Sequence, residues 1–145
     1  MLPTTAERVV INTSPDVNAD IRATTNYRVA ECAELGRGAI DRRIRDLDAE
    51  WDIERTLETN ASMAVLVGLT LGATVDRRFL LLPGLVAGFL LQHALQGWCP
   101  PIPVFRRLGI RTEREIDEER TALKALRGDF RDAESPETAL AAARR

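Results

Sequence analysis

The sequence predicts an all-α protein: a transmembrane two-helix hairpin flanked by amphipathic cytoplasmic helices. Three observations predict it. The chain has 145 residues with 20 basic and 22 acidic side chains, yet Thr59–Phe105 carries only Asp76, Arg77 and Arg78. Two charge-free stretches, Ala61–Val75 and Phe79–Trp98, fill that interval and are separated only by the polar turn. On either side, apolar residues recur at helical spacing among dense charge. Net charge is −2, without the basic excess of a nucleic-acid-binding domain. One histidine and two cysteines exclude a disulfide scaffold and the usual zinc ligand sets.

Residues 1–38 form a predicted N-terminal cytoplasmic segment. It carries Glu7, Arg8, Asp16 and Asp20 and no apolar run long enough for a secretory signal. Val9-Val10-Ile11 suits a short strand or extended arm. Ser14-Pro15-Asp16 is a helix start: a capping hydroxyl, a first-turn proline and an anion at the positive end of the dipole. The helix is expected to run from Pro15 to about Leu35, with Val17, Ile21, Thr24, Arg28, Cys32 and Leu35 along its thin stripe, until Gly36 and Gly38 interrupt it.

Residues 39–60 read as an amphipathic helix. Ile40, Ile44, Leu47 and Trp51 share one face, while Asp41, Asp46, Asp48 and Glu50 belong to a solvated face rather than a metal site. No proline or glycine separates this helix from the next, so residues 39–75 are compatible with one continuous rod.

Residues 61–98 make the hairpin. Fifteen residues in Ala61–Val75 span roughly 22 Å, short of the ~30 Å hydrocarbon core unless the helix reaches back toward Leu57. Phe79–Trp98 has the full length, and its leucines point all round the circumference, which requires complete enclosure or lipid. The alternative is a soluble oligomeric helical bundle that buries the same hairpin. Ala64, Gly68 and Gly72 form one small-residue row, and Gly84 and Gly88, continued by Gln92, form another. Such rows let helices approach closely in lipid, and predict helix packing within or between chains. Four arginines before the hairpin (Arg42, Arg43, Arg45, Arg55) and four after it (Arg106, Arg107, Arg111, Arg114) outnumber the two in the turn, which places both ends in the cytoplasm.

Residues 99–130 begin with a proline-rich bend at Pro100, Pro101 and Pro103. Val104-Phe105-Arg106-Arg107-Leu108 then suits the headgroup region. Thr112 and Glu115 have capping-box spacing and open a helix carrying Ile116, Leu123 and Leu126. Residues 131–145 are expected to be a flexible tail.

Two residues invite a chemical reading. Cys99, where the second span ends, is either a packed apolar group or a thiol that handles sulfur or senses oxidants. His93 is an ionisable residue inside a span, hence a possible polar site. The two lie on opposite sides of the helix and do not pair. No Gly-rich phosphate loop, HExxH, CxxC or Ser/His/Asp pattern is present, so no catalytic, cofactor or metal residues are assigned.

Leu90-Leu91-Gln92, Gly97-Trp98-Cys99-Pro100 and Leu108-Gly109, with Trp51-Asp52-Ile53-Glu54-Arg55 upstream, resemble the YgaP-like inner-membrane domain family over roughly Glu54–Ile110. The resemblance implies a bacterial inner-membrane hairpin that self-associates as a homodimer. Some relatives fuse the hairpin to a sulfurtransferase (rhodanese) domain. This chain has none, and no cysteine in an anion loop to hold a persulfide, so catalysis does not carry over. A non-catalytic anchor or assembly module is expected. A redox or sulfur-handling accessory, using Cys99 beside a separate sulfurtransferase, is the alternative.

Overall fold

The computed structural model describes Thr4 and residues 7–144; the remaining positions of the N-terminal segment and the last residue of the tail lie outside the described residues. The elements are helical throughout, with no strand among the described residues. Two compact units interleave along the chain. One joins the segment ending at Ala19 to Trp51–Glu113, and the other joins Asp20–Glu50 to the segment starting at Arg114.

The first unit is built on a helical hairpin, α4 (Ile53–Thr74) and α5 (Leu81–Gln96), joined by a 3-10 turn at Arg77–Leu80. Asp52 starts α4, its carboxylate accepting from the Arg55 amide at 2.7 Å. The Ile53 amide, orphaned at this helix start, donates to the Arg111 carbonyl at 2.8 Å. Within α4, Thr56, Asn60, Thr70 and Thr74 satisfy their side chains on carbonyls four residues earlier. Polar residues can thus sit on an otherwise apolar helix without outside partners. Asp76 closes the turn by accepting from the Arg78 amide. Gly97 ends α5 in the left-handed region at φ 74°, where its amide reaches the His93 carbonyl.

Around the open end of the hairpin pack α1 (Arg8–Ile11) and α6 (Ile102–Arg107). Val9-Val10-Ile11 is therefore a helical turn, not the strand or arm its β-branched residues suggest; burial of Val9 beside Ile53, Leu57, Cys99 and Ile102 outweighs local propensity. Phe89, Leu90, Phe105 and Ile110 extend this core. Arg106, expected at the headgroups, is fully buried instead. Its guanidinium donates to Thr13 Oγ1 at 3.2 Å, Asn18 Oδ1 at 2.9 Å and the Ile110 carbonyl at 3.2 Å. Arg107 is the exposed one of the pair.

α2 (Pro15–Leu35) runs as the caps predict, and its residues beyond Ala19 belong to the second unit together with α3 (Arg37–Ala49), α7 (Glu113–Arg127) and α8 (Pro136–Ala143). Cys32, Ile40, Ile44, Leu47, Ile116 and Leu123 form its core, with Val29 against it. Leu35 and Leu126 stay exposed. α3 and α7 pack antiparallel: Asp41 pairs with Arg127 at 2.7 Å, Arg43 with Glu119 at 2.7 Å, and Asp48 with Arg120 at 3.0 Å. Asp41 and Asp48 are therefore held by interhelical pairs rather than simply solvated. No rod joins α3 to the hairpin. Glu50 and Asp52 are extended, and Trp51 is exposed with the Arg55 guanidinium 4.3 Å above its ring. Where a flexible tail is expected, Ser135 and Thr138 form a reciprocal capping box that opens α8.

Candidate functional site

His93 is the most buried residue of α5, at 5% exposure. Antiparallel packing brings it level with the first turn of α4, where its Nε2 lies 2.6 Å from Glu54 Oε2. The other oxygen of Glu54 accepts from Arg8 Nη2 at 3.0 Å. Arg8 also donates through Nη1 to the Ala94 carbonyl at 3.2 Å, and Asn12 Nδ2 donates to the Gln96 carbonyl at 2.9 Å. These carbonyls belong to the last turn of α5, which has no intrahelical donors for them. α1 thus caps the end of α5 with side chains. A cation beside the negative end of the helix dipole is favourable as well. Gly97 makes the fit possible, since a Cβ there would lie 2.5 Å from the Arg8 backbone.

Glu54 is the hub of this cluster. One of its carboxylate oxygens bonds His93 and the other bonds Arg8, so a single acidic side chain ties α4 to both α5 and α1. An ionised carboxylate only accepts, so His93 Nε2 carries a hydrogen and donates it. Two buried nitrogens of the cluster, His93 Nδ1 and Arg8 Nε, have no partner. The sequence marked His93 as a polar site but did not pair it with Glu54. The available signal was that the two lie on opposite arms of the hairpin, each one helix length from the turn.

The two small-residue rows have different neighbours. Gly68 faces the Pro83 ring and Gly72 faces Leu80; a Cβ at either would come within 2.5 Å of the opposing side chain. This row joins the two arms of one hairpin. Gly84 and Gly88 have nothing within 4 Å of a built Cβ and face outward, with Gln92 half-buried further along.

Cys99 is buried in the core beside Ile53 and Ile102. Burial alone pushes its thiol up, with no charged group acting on it. Neither Arg106 nor Arg107 acts on it. Cys99 also lines an apolar cavity of about 230 Å³ with Leu57, Ala61, Ala64, Val86 and Phe89. Cys32, the other free thiol, is likewise buried and pushed up chiefly by that burial. No three His, Cys, Asp or Glu side chains converge as a metal site among the described residues.

Among the described helices, one stretch, Arg77–Gln96, has the length and hydropathy to cross a membrane: 20 residues with a mean hydropathy of 1.5, and almost none of it buried. Comparison with protein-family models, curated proteins and solved structures finds no match.

Proposed function

We propose that the chain is an integral membrane protein of YgaP-like type, an anchor or assembly module without enzymatic activity. In this reading α4 and α5 both cross the bilayer, which is the bacterial inner membrane, and both ends of the chain are cytoplasmic. The observation that carries it is the exposed apolar surface of both arms. Met63, Leu66 and Val67 on α4, and Leu81, Leu85 and Leu91 on α5, are each more than half exposed. A contiguous apolar surface on that scale needs lipid or a partner to cover it. α4 supplies the length that Ala61–Val75 alone lacks, since its 22 residues reach about 33 Å. Its threonines return their hydroxyls to the helix's own carbonyls, as a lipid-facing helix requires.

The second copy in the proposed homodimer docks along Gly84, Gly88 and Gln92. The other small row is occupied within the chain, and glutamine gains a partner across such an interface. A sulfur-handling role beside a sulfurtransferase is disfavoured by the burial of Cys99 and the upward push on its thiol.

Alkaline carbonate extraction of the expressed chain tests the reading. Retention in the membrane pellet, with release only by detergent, is the expected result. Recovery of most of the folded chain in the supernatant would instead establish a soluble oligomeric bundle.

A further inference from the structure

We propose that the cavity beside Cys99 seats one phospholipid acyl chain, an inference that rests on the membrane reading above. The cavity, about 230 Å³, belongs wholly to the first unit and lies between the two arms of the hairpin and the bend that follows α5. It exists because the arms part. Gly68 lies against Pro83, but one turn earlier in α4 the same small-residue row reaches Ala64, which faces the cavity. Ala61 faces it too, so two methyl groups stand where larger side chains would fill the space. The floor is buried Leu57 and Cys99, walls such as Val86 and Phe89 are half-buried, and the rim is exposed at Asn60 and Pro100. The cavity is therefore a slot closed on one side and open on the other.

The lining selects the occupant. Besides the thiol, Asn60 is its one polar side chain, and that amide donates to the Thr56 carbonyl of its own helix at 2.8 Å. Sites for compact polar ligands carry a few placed polar groups that fix orientation, and this lining has no side chain to spare for that task. An apolar void of ~150 Å³ stays dry and admits a benzene-sized guest, and this one is roughly half as large again. Left empty, its walls would forfeit dispersion contacts. A helix of a second copy, about 10 Å across, is too thick to enter. A hydrocarbon chain is slender enough and needs no hydrogen bond. In the membrane reading such chains already bathe exposed Leu66 on α4 and Leu91 on α5, and the slot opens in the cytoplasmic half of the hairpin.

Photolabelling tests this on the full chain reconstituted in phosphatidylcholine vesicles. A small share of the lipid carries a diazirine on one acyl chain, and insertion sites are mapped by mass spectrometry after illumination. Val86 and Phe89 should be labelled at least as heavily as the outward-facing Leu66 and Leu91, although they are the less exposed pair. Ala64→Phe fills the slot, and should lower the label on Val86 and Phe89 by about fivefold or more while leaving Leu66 and Leu91 unchanged. Ala61→Phe blocks the same space from beside Asn60 and should repeat the loss. Label on Leu66 and Leu91 with none on Val86 and Phe89 overturns the pocket and leaves the membrane reading standing. Label at none of these positions overturns both. An undiminished signal at Val86 and Phe89 in both variants also overturns the pocket, because it would come from chains passing over the surface.

Discussion

Gly68 of α4 lies directly against the ring of Pro83 on α5, so close that a Cβ would stand 2.5 Å from its Cδ. Neither partner can yield: one is backbone and the other a rigid ring. Four residues on, Gly72 faces the Leu80 side chain, with a Cβ there 2.5 Å from its Cδ2, a contact the flexible leucine can adjust more readily than the Pro83 ring can. The two contacts set how closely the arms approach near the turn.

Gly68→Ile should therefore separate the arms, at a cost of about 1–3 kcal/mol from overpacking. The unfolding midpoint followed by circular dichroism in detergent checks this. The double variant Gly84→Ile/Gly88→Ile should keep the parent midpoint but weaken self-association in sedimentation. If it dimerises like the parent, the interface between copies lies off this row.

Glu54 ties α4 to both α5 and α1, through His93 at 2.6 Å and Arg8 at 3.0 Å. Glu54→Gln should cost on the order of 1 kcal/mol at pH 7, a figure kept small because the side chain is 32% exposed. Thermal midpoints of parent and variant decide it; an unchanged midpoint would show that the carboxylate does not hold these elements together.

In the second unit, Glu119 is fully buried and takes two hydrogen bonds from Arg43, at 2.7 and 3.2 Å. Arg43→Ala should cost about 1.5–3 kcal/mol, because it removes two charge-assisted hydrogen bonds from a buried carboxylate. Asp48→Ala removes the partner of an exposed pair and should cost under about 1 kcal/mol. Denaturant titration of the two variants checks the contrast, and equal losses would contradict it.

Cys99 should react slowly with a small alkylating reagent, with no inflection below pH 8, since burial raises its thiol. An inflection below about 7 would mark an activated thiol. Cys99→Ala should leave the hairpin folded at a cost of about 1 kcal/mol, because it deletes one buried sulfur without stranding a polar group.

The helices were legible because their signals are local. Pro15 after Ser14, the glycines at 36 and 97, the charge-free runs and the spacing of Ile40, Ile44 and Leu47 each act within a turn or two of chain. What escaped depends on distant partners. Nothing near Val9 says that a core awaits it. Nothing near Arg106 says that Thr13 and Asn18, 93 and 88 residues away, will claim its guanidinium. The break at Glu50–Asp52 was readable in principle, since Asp52 is a capping residue; the absence of proline and glycine concealed it. The small-residue rows were visible, but which one closes the hairpin depends on the ring at Pro83.

The interleaving of the two units has a consequence for biosynthesis. Arg8 must wait for Ala94, 86 residues later, and Arg43 for Glu119, 76 residues later. Neither unit can close while its first half alone has left the ribosome. The early segments emerge as unpaired helices, and loop closure over such separations slows folding. A nascent chain halted after the hairpin would hold an open second unit, with Ile40, Ile44 and Leu47 uncovered. Completion of α7 is thus the event that hides the last large apolar face of that unit, and chaperone demand during synthesis should peak just before it.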